Sequence, residues 1–325
     1  MIVTENKEVL KLSGWQGITV ECPDAWNLVS YGGDNHSGNM RLDNSGADGT
    51  NLLGVEVRWT QTKKALTAVN IEDRVQQYLD SIAKDAKRRR VKFDGKTKLV
   101  GDDASEERIG TRGFDWRTDR KGVGQIWYCN ECGRVVIAQV VTNNLKVTPD
   151  SAHVVLNSIR CHPLPDGWTR WSLYDLSSEV PSEYSLKRQP QLMNIYVQLG
   201  FGAGHSTDTV VLEQWGVANI QLRGAYLDQW FDKKCAASLR HLKLDRIEDD
   251  ANGHPALMVS GRRGGLVYWL GEGLQSLVRL QKPAVHFAAC LWECPVRNKI
   301  FLVQCNGRTK RSELVRQIVE RTTCH

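Results

Sequence analysis

The sequence predicts an α+β fold built twice, as two tandem copies of an antiparallel β-sheet sandwiched by helices. Three observations carry that expectation. First, residues 127–162 and 292–325 repeat one another: WYCNECGRVVIAQV answers WECPVRNKIFLVQC, and the two segments end on Cys161-His162 and Cys324-His325. Trp127 and Cys129 match Trp292 and Cys294 at a shift of 165 (292 − 127 and 294 − 129), and Cys161 matches Cys324 at a shift of 163 (324 − 161). Second, short alternating apolar runs bounded by turn residues read as half-buried strands. Third, each copy carries apolar residues at helical spacing. Strands paired by short turns, with helices laid against them, read as α+β.

The elements follow in order. Gly14-Trp15 opens the first copy and Gly167-Trp168 the second, and Pro23 and Pro181 stand three residues before Trp26 and Tyr184. GITVEC at 17–22 and GVEVRW ending at Trp59 alternate as strands, and the latter is matched to VVLEQW ending at Trp215, a shift of 156 (215 − 59). Over 71–90, Ile71, Val75, Tyr78, Leu79, Ile82 and Ala86 share one helical face, and AYLDQW at 225–230 opens a comparable helix. GFDWRT at 113–118 answers GHPALMVSG at 253–261. Gly124 to Tyr128 and Val135 to Val141 are apolar runs around CNECG, a hairpin in outline. Pro149 suits the first turn of a helix ending at Cys161-His162. In the second copy a helix starting on Ser312 supplies Leu314, Val315, Ile318 and Val319 to a core. The copy therefore reads as three strands, a long helix, a strand, a strand pair and a helix. Two prolines and a glycine in 163–167 stop the helix and begin a linker, dividing the chain into domains 1–162 and 163–325.

Composition bounds the class. At 325 residues, with 41% hydrophobic and 25% charged residues, two ordinary globular domains fit. No apolar run approaches a membrane span, and the start MIVTENKEVLKL lacks a signal peptide's pattern, so a soluble cytoplasmic protein with no membrane association is the expectation. A net charge of +6 points only weakly to an anionic partner. Nine cysteines without a secretory signal favour thiols or metal ligands over a disulfide framework.

The run WSLYDLSSEVPSEYSL at 171–186, with VVLEQW at 210–215, AYLDQWF at 225–231 and GHPALMVSG at 253–261, resembles the PsbP fold. This is the superfamily of the extrinsic photosystem II protein and of an import factor that binds the small GTPase Ran. The resemblance rests on pattern order over most of both halves. It implies an antiparallel sheet sandwiched by helices and used mainly for binding partners, with no general catalytic constellation. The cysteine and histidine residues are not part of that family pattern.

Those residues form the principal candidate site. Cys129 and Cys132 on a tight turn have the form of a zinc knuckle. The following strand runs away for roughly 23 Å, and the next helix returns roughly 18 Å, which brings Cys161 and His162 back beside the turn. Cys129, Cys132, Cys161 and His162 would make a Cys3His set for structural zinc. In the second copy Cys294, Cys324 and His325 hold equivalent places, Arg297 stands where Cys132 does, and Cys290 would have to serve as the fourth ligand. Disulfides Cys129–Cys161 and Cys294–Cys324, or inert buried thiols, are the competing expectations.

The remaining signals read as structural. Lys84, Lys87, Arg88, Arg89, Arg90 and Lys92 could contact nucleic-acid phosphates, but they also suit a solvated helix C-terminus. GFGAGH at 200–205 precedes a strand and so reads as a hairpin turn, not a phosphate loop. His254, matched to Gly113, reads as a packed or capping histidine. There is no Walker A motif, His-Glu-x-x-His or nucleophile elbow. The expected function is a non-enzymatic protein-binding or scaffold protein. Nucleic-acid binding through the basic run is the alternative, and an enzyme of unknown class is third.

Overall fold

Alternating burial defines the strands, and turn chemistry sets where they reverse. The computed structural model describes residues 9–44, 53–62, 68–99, 107–143, 149–192, 195–204, 206–236, 239, 242–263 and 285–324, and the chain divides into two units, Met1–Leu164 and Pro165–His325. In unit 1, β1 (Leu10–Trp15) and β2 (Ile18–Pro23) form a two-stranded hairpin. Its turn, Gln16 and Gly17, has φ of 54° and 80°, the mirror-image turn that matches strand twist. Then come β3 (Asn27–Gly33), β4 (Ser37–Asp43), β5 (Leu53–Gln61), α1 (Ala68–Arg88), β6 (Asp94–Leu99), β7 (Arg108–Arg117), β8 (Lys121–Cys129), β9 (Arg134–Thr142) and α2 (Pro149–Ser158). Among the described residues β3 to β9 form one antiparallel sheet in the order β3-β4-β5-β9-β8-β7-β6.

Because successive side chains point to opposite faces, the sheet has two differently used sides. Phe114, Trp116, Ile126, Tyr128, Val135 and Val141 pack against Ile71, Val75 and Leu79 of α1. Burying each of those three helix side chains contributes about 1.5–3 kcal/mol, enough to dock α1 without special capping. The other side carries Trp127, Cys129, Val136 and Ala138, all buried. There Gln125 Nε2 donates to Asn157 Oδ1 of α2 at 3.3 Å. The chain beyond α2 then pairs with the opening hairpin: Thr19 N–H donates to the Arg160 carbonyl and Arg160 N–H to the Thr19 carbonyl, each at 2.9 Å.

Unit 2 repeats this plan. Its hairpin is β10 (Trp168–Leu173) with β11 (Leu176–Pro181), followed by β12 (Tyr184–Arg188), β13 (Gln191–Leu192), β14 (Tyr196–Ala203), β15 (Thr209–Gly216), α3 (Ala218–Leu222), α4 (Leu227–Cys235), β16 (Leu242–Ala251), β17 (His254–Arg263), β18 (His286–Cys294), β19 (Lys299–Gly307) and α5 (Ser312–Glu320). The sheet order is β12-β14-β15-β19-β18-β17-β16, with β13 paired to β14. Substituting each strand by its counterpart turns one order into the other. Trp230 and Phe231 of α4 pack on Phe287, Ala289, Leu291, Ile300 and Leu302, and Thr323 N–H donates to the Ser177 carbonyl at 2.8 Å.

Several sequence expectations need correction. Among the described residues strand outweighs helix in both units, and five strands precede α1 where three were expected. One side of each sheet is covered by a helix together with a two-stranded hairpin, not by helices alone. The helix expected to open at 225–230 is the short α4, and a second short helix not expected, α3, precedes it. The two are separated at Arg223 and Gly224, whose φ values of 50° and 81° leave the right-handed helical region. The pairing of Trp59 with Trp215 is off by one residue. Trp59 pairs with Val136, whose counterpart at the 165 shift is Phe301, and Phe301 pairs with Gln214. A one-residue slip exchanges faces, so the two indoles lie on opposite sides of their sheets.

The α1 interface carries a measurable pH signature. Burial pushes the Tyr78 phenol up to about 12, with Arg58 partly opposing it. A folded pKa above the unfolded value of about 10 means stability is full below pH ~10 and lost as pH rises toward 12, by about 2–3 kcal/mol. Tyr78→Phe is expected to remove that segment of the alkaline unfolding curve; an unchanged curve would place the phenol in water.

Candidate metal centre

The turn between β8 and β9 reverses over four residues, Asn130 to Gly133. It closes through Gly133 N–H donating to the Cys129 carbonyl at 3.0 Å, with Gly133 at φ 67°. Cys129 and Cys132 therefore sit at one end of the sheet. The pairing of Arg160 with Thr19 holds the segment after α2 along β2, which delivers Cys161 and His162 to that same end. Ligand atoms of Cys129, Cys132, Cys161 and His162 all lie within 4.8 Å of one another, so the cluster could hold a metal ion.

The separations fit one ion. A tetrahedral centre with metal–sulfur bonds of ~2.3 Å and metal–nitrogen bonds of ~2.0 Å has sulfur–sulfur edges of ~3.8 Å and sulfur–nitrogen edges of ~3.5 Å. Cys132 Sγ and Cys161 Sγ are 3.8 Å apart, and Cys129 Sγ and His162 Nδ1 are 3.6 Å apart. A disulfide would require ~2.05 Å, and all nine cysteines are thiols. His162 presents Nδ1 to the thiols while Nε2 faces Glu131 at 3.2 Å and Glu107 at 3.8 Å. A carboxylate on the far nitrogen is the usual way a metal-binding imidazole is oriented and made more basic.

Two guanidinium groups back the thiols. Arg134, buried, donates through Nη1 to the Cys161 carbonyl at 2.8 Å and through Nε to the Asn35 carbonyl at 3.0 Å. Arg108 lies 4.3 Å over the Trp127 ring and donates to the Asn157 and Ile159 carbonyls. Burial depresses the pKa of both, and the neighbouring cysteines push it back up. Hydrogen bonds from Cys132 and Cys161 hold the Cys129 thiol far below its ordinary range, while the same contacts raise Cys161, and Cys129 raises Cys132.

Unit 2 departs from its expected set. Cys294 and Cys324 do come together, with Cys294 Sγ 3.9 Å from the Cys324 carbonyl, but their described companion is His254. Cys290 is not among them. It faces the same side as Cys294 but four residues earlier on an extended strand, roughly 13 Å away. It is buried opposite Met258, with its thiol pushed up to about 12 by burial. Arg297 is exposed on the turn. His325 lies outside the described residues. His254 reaches the cluster through register: Ala256 pairs with Trp292, so two residues on His254 stands across from Cys294. Its counterpart in unit 1 is Arg108, which pairs with Cys129, and not Gly113. The one sequence signal for this was Asn252-Gly253, a two-residue hairpin dipeptide that fixes where β17 starts.

The basic run ends α1 and continues past it. Lys84, Lys87, Arg88, Arg89, Arg90 and Lys92 are exposed, with Arg88 and Arg89 paired to Asp85 and Arg89 also to Asp119. Replacing Lys87, Arg88 and Arg90 by Gln is expected to change unfolding free energy by less than about 0.5 kcal/mol; a loss of several kcal/mol would make the run structural.

Each sheet also leaves its first strands open on the side where the longer helix layer packs. In unit 1 a groove of about 650 Å³ is lined by Ser37, Asn39, Arg41, Glu56, Arg58 and Thr60. In unit 2 a groove of about 520 Å³ includes Arg188, Tyr196, Gln198, Glu213 and Trp215, where Glu213 accepts from Gln198 at 2.5 Å and from Trp215 at 2.9 Å. No described helix is long and apolar enough to cross a membrane. No family model matches the chain, and no curated protein or solved structure matches it either.

Proposed function

We propose that this chain is a non-enzymatic protein-binding scaffold of two PsbP-like domains, the first fastened by a structural zinc ion on Cys129, Cys132, Cys161 and His162. The observation that carries the reading is the closed donor set, with separations matching the edges of one tetrahedron. Three sulfurs and one imidazole nitrogen in tetrahedral array suit zinc above other available ions. Four protein ligands leave no position for water or substrate, which is the arrangement of a structural ion and not a catalytic one. Zinc with three thiolates and a neutral imidazole carries a net charge of about −1, and Arg134 and Arg108 stand where that charge is offset.

Support for partner binding comes from the open half of the unit 1 sheet, where Arg41, Glu56 and Arg58 put charges of both signs along one groove. Such mixed surfaces suit a protein partner better than a phosphate backbone, which selects for positive charge alone.

Elemental analysis of purified full-length protein is expected to give zinc that disappears from unit 1 in a Cys129→Ser, Cys132→Ser variant. Zinc content unchanged by that pair would overturn the site. For the partner, a protein retained by the wild type should be lost with Arg41→Glu and Arg58→Glu, and kept when Lys87, Arg88 and Arg90 are Gln. Salt-sensitive heparin retention abolished by the Gln variant would assign the partner to nucleic acid instead.

A further inference from the structure

We propose that unit 2 holds a second metal ion of its own, bound by His254, Cys294 and Cys324, and more weakly than the first. The three ligand atoms lie within 4.8 Å of one another, and both cysteines are buried. Two thiolates and one imidazole are zinc-type ligands. The elements that deliver them repeat those of unit 1. The turn between β18 and β19 reverses over Pro295 to Asn298, closing through Asn298 N–H donating to the Pro295 carbonyl at 3.2 Å, with Asn298 at φ 52° where Gly133 is at 67°. Cys324 follows Thr323, which is pinned to Ser177 as Arg160 is to Thr19.

The charges around the two clusters have changed together. Unit 1 sets three thiols against Arg108 and Arg134. In unit 2 one thiol is gone, because Arg297 occupies the position of Cys132 (297 − 132 = 165) and is exposed. Both flanking guanidinium groups are gone as well. His254 stands in the place of Arg108, and Lys299, at the place of Arg134, is ion-paired with Asp175. Asp175 occupies the hairpin-turn position of Gly17, where a Cβ would meet Arg134 at 3.4 Å. Two thiolates and a neutral imidazole neutralise a divalent ion, so no guanidinium is needed beside it, and none of the described unit 1 arrangement is kept for that purpose. The position that carries Arg108 in unit 1 thus carries in unit 2 a side chain able to ligate, within 4.8 Å of both thiols.

The test uses the full chain, saturated with zinc, desalted, and titrated with a chromophoric chelator. Two zinc ions per chain are expected, one released at lower chelator concentration. His254→Ala and, separately, Cys294→Ser should weaken that more labile ion at least tenfold and leave the tighter one unchanged, while Cys290→Ser alters neither. Arg297→Cys restores a turn thiol at an exposed position that tolerates substitution, and should tighten the labile ion at least tenfold. Cobalt loaded into the Cys129→Ser, Cys132→Ser variant should give a thiolate charge-transfer band that His254→Ala shifts. One zinc per chain, insensitive to His254→Ala, Cys294→Ser and Arg297→Cys, would overturn the second site while leaving the first intact. Loss of only the tighter ion's signal would count against the first site alone.

Discussion

Cys161→Ser is expected to release the unit 1 ion and to cost that unit more than ~4 kcal/mol, the range reserved for loss of a metal or comparable network. The thiol sits on the segment pinned to β2, so its removal takes away one of the two ligands, with His162, through which the ion would join the β8–β9 turn to the segment after α2. Cys22→Ser is the comparison: Cys22 is buried beside Ser13 at 3.6 Å and outside the cluster, and burying a hydroxyl there should cost about 1–3 kcal/mol. Zinc binding to thiolates releases protons, so wild-type protection should fade in acid and in strong chelator, and the Cys161→Ser variant should feel neither effect. Amide hydrogen exchange across β8 and β9 reads the change in unit 1 specifically. Equal costs for the two serine variants, or a chelator effect on exchange across β8 and β9 that survives Cys161→Ser, would sink the unit 1 metal assignment.

Trp127→Ala is expected to cost about 3–5 kcal/mol, the usual range for emptying an aromatic site in a close-packed core. Trp127 is fully buried. It is also the platform under Arg108, whose guanidinium holds the Asn157 and Ile159 carbonyls just before Cys161. Removing the ring therefore frees the arginine that fixes the end of α2, and zinc affinity should fall together with stability. Trp127→Phe keeps a ring beneath Arg108 and should recover most of the affinity and part of the stability. An alanine variant with lost stability but unchanged zinc affinity would show that Arg108 holds its position without the indole.

Much of this was legible in the chain because the repeat preserved large residues at both ends of the same elements. The match of Trp127, Cys129 and Cys161 to Trp292, Cys294 and Cys324 places a hairpin and a helix end, and elementary rise per residue brings them together. Register was much less visible. Trp59 and Trp215 look like partners in a linear comparison, yet the pairing of β5 with β9 and of β15 with β19 sets them one residue apart and on opposite faces. Cys290 fails for the same reason, since spacing along a sequence does not reveal that an intervening stretch is fully extended. His254 was missed because it meets Cys294 only across a strand pair whose register depends on distant residues. The flanking arginines were also missed: a guanidinium near thiols has no sequence signature, whereas Asn252-Gly253 does.

The contact that closes each unit joins its first hairpin to the segment just after its last helix, residue 19 to residue 160 and residue 177 to residue 323. Separations of 141 and 146 positions (160 − 19 and 323 − 177) make this a late event in folding, since distant pairings must meet their loop-closure cost before any stabilisation returns. During synthesis at ~5–20 residues per second, the thiols of the β8–β9 turn precede Cys161 by a few seconds. For that interval the knuckle has two ligands and no guanidinium-backed partner segment. The third sulfur and the imidazole arrive only with the strand-like segment that seals β2, so on the proposed zinc site tight metal capture would report that the whole unit has been made and closed, and the ion would act as a completion latch.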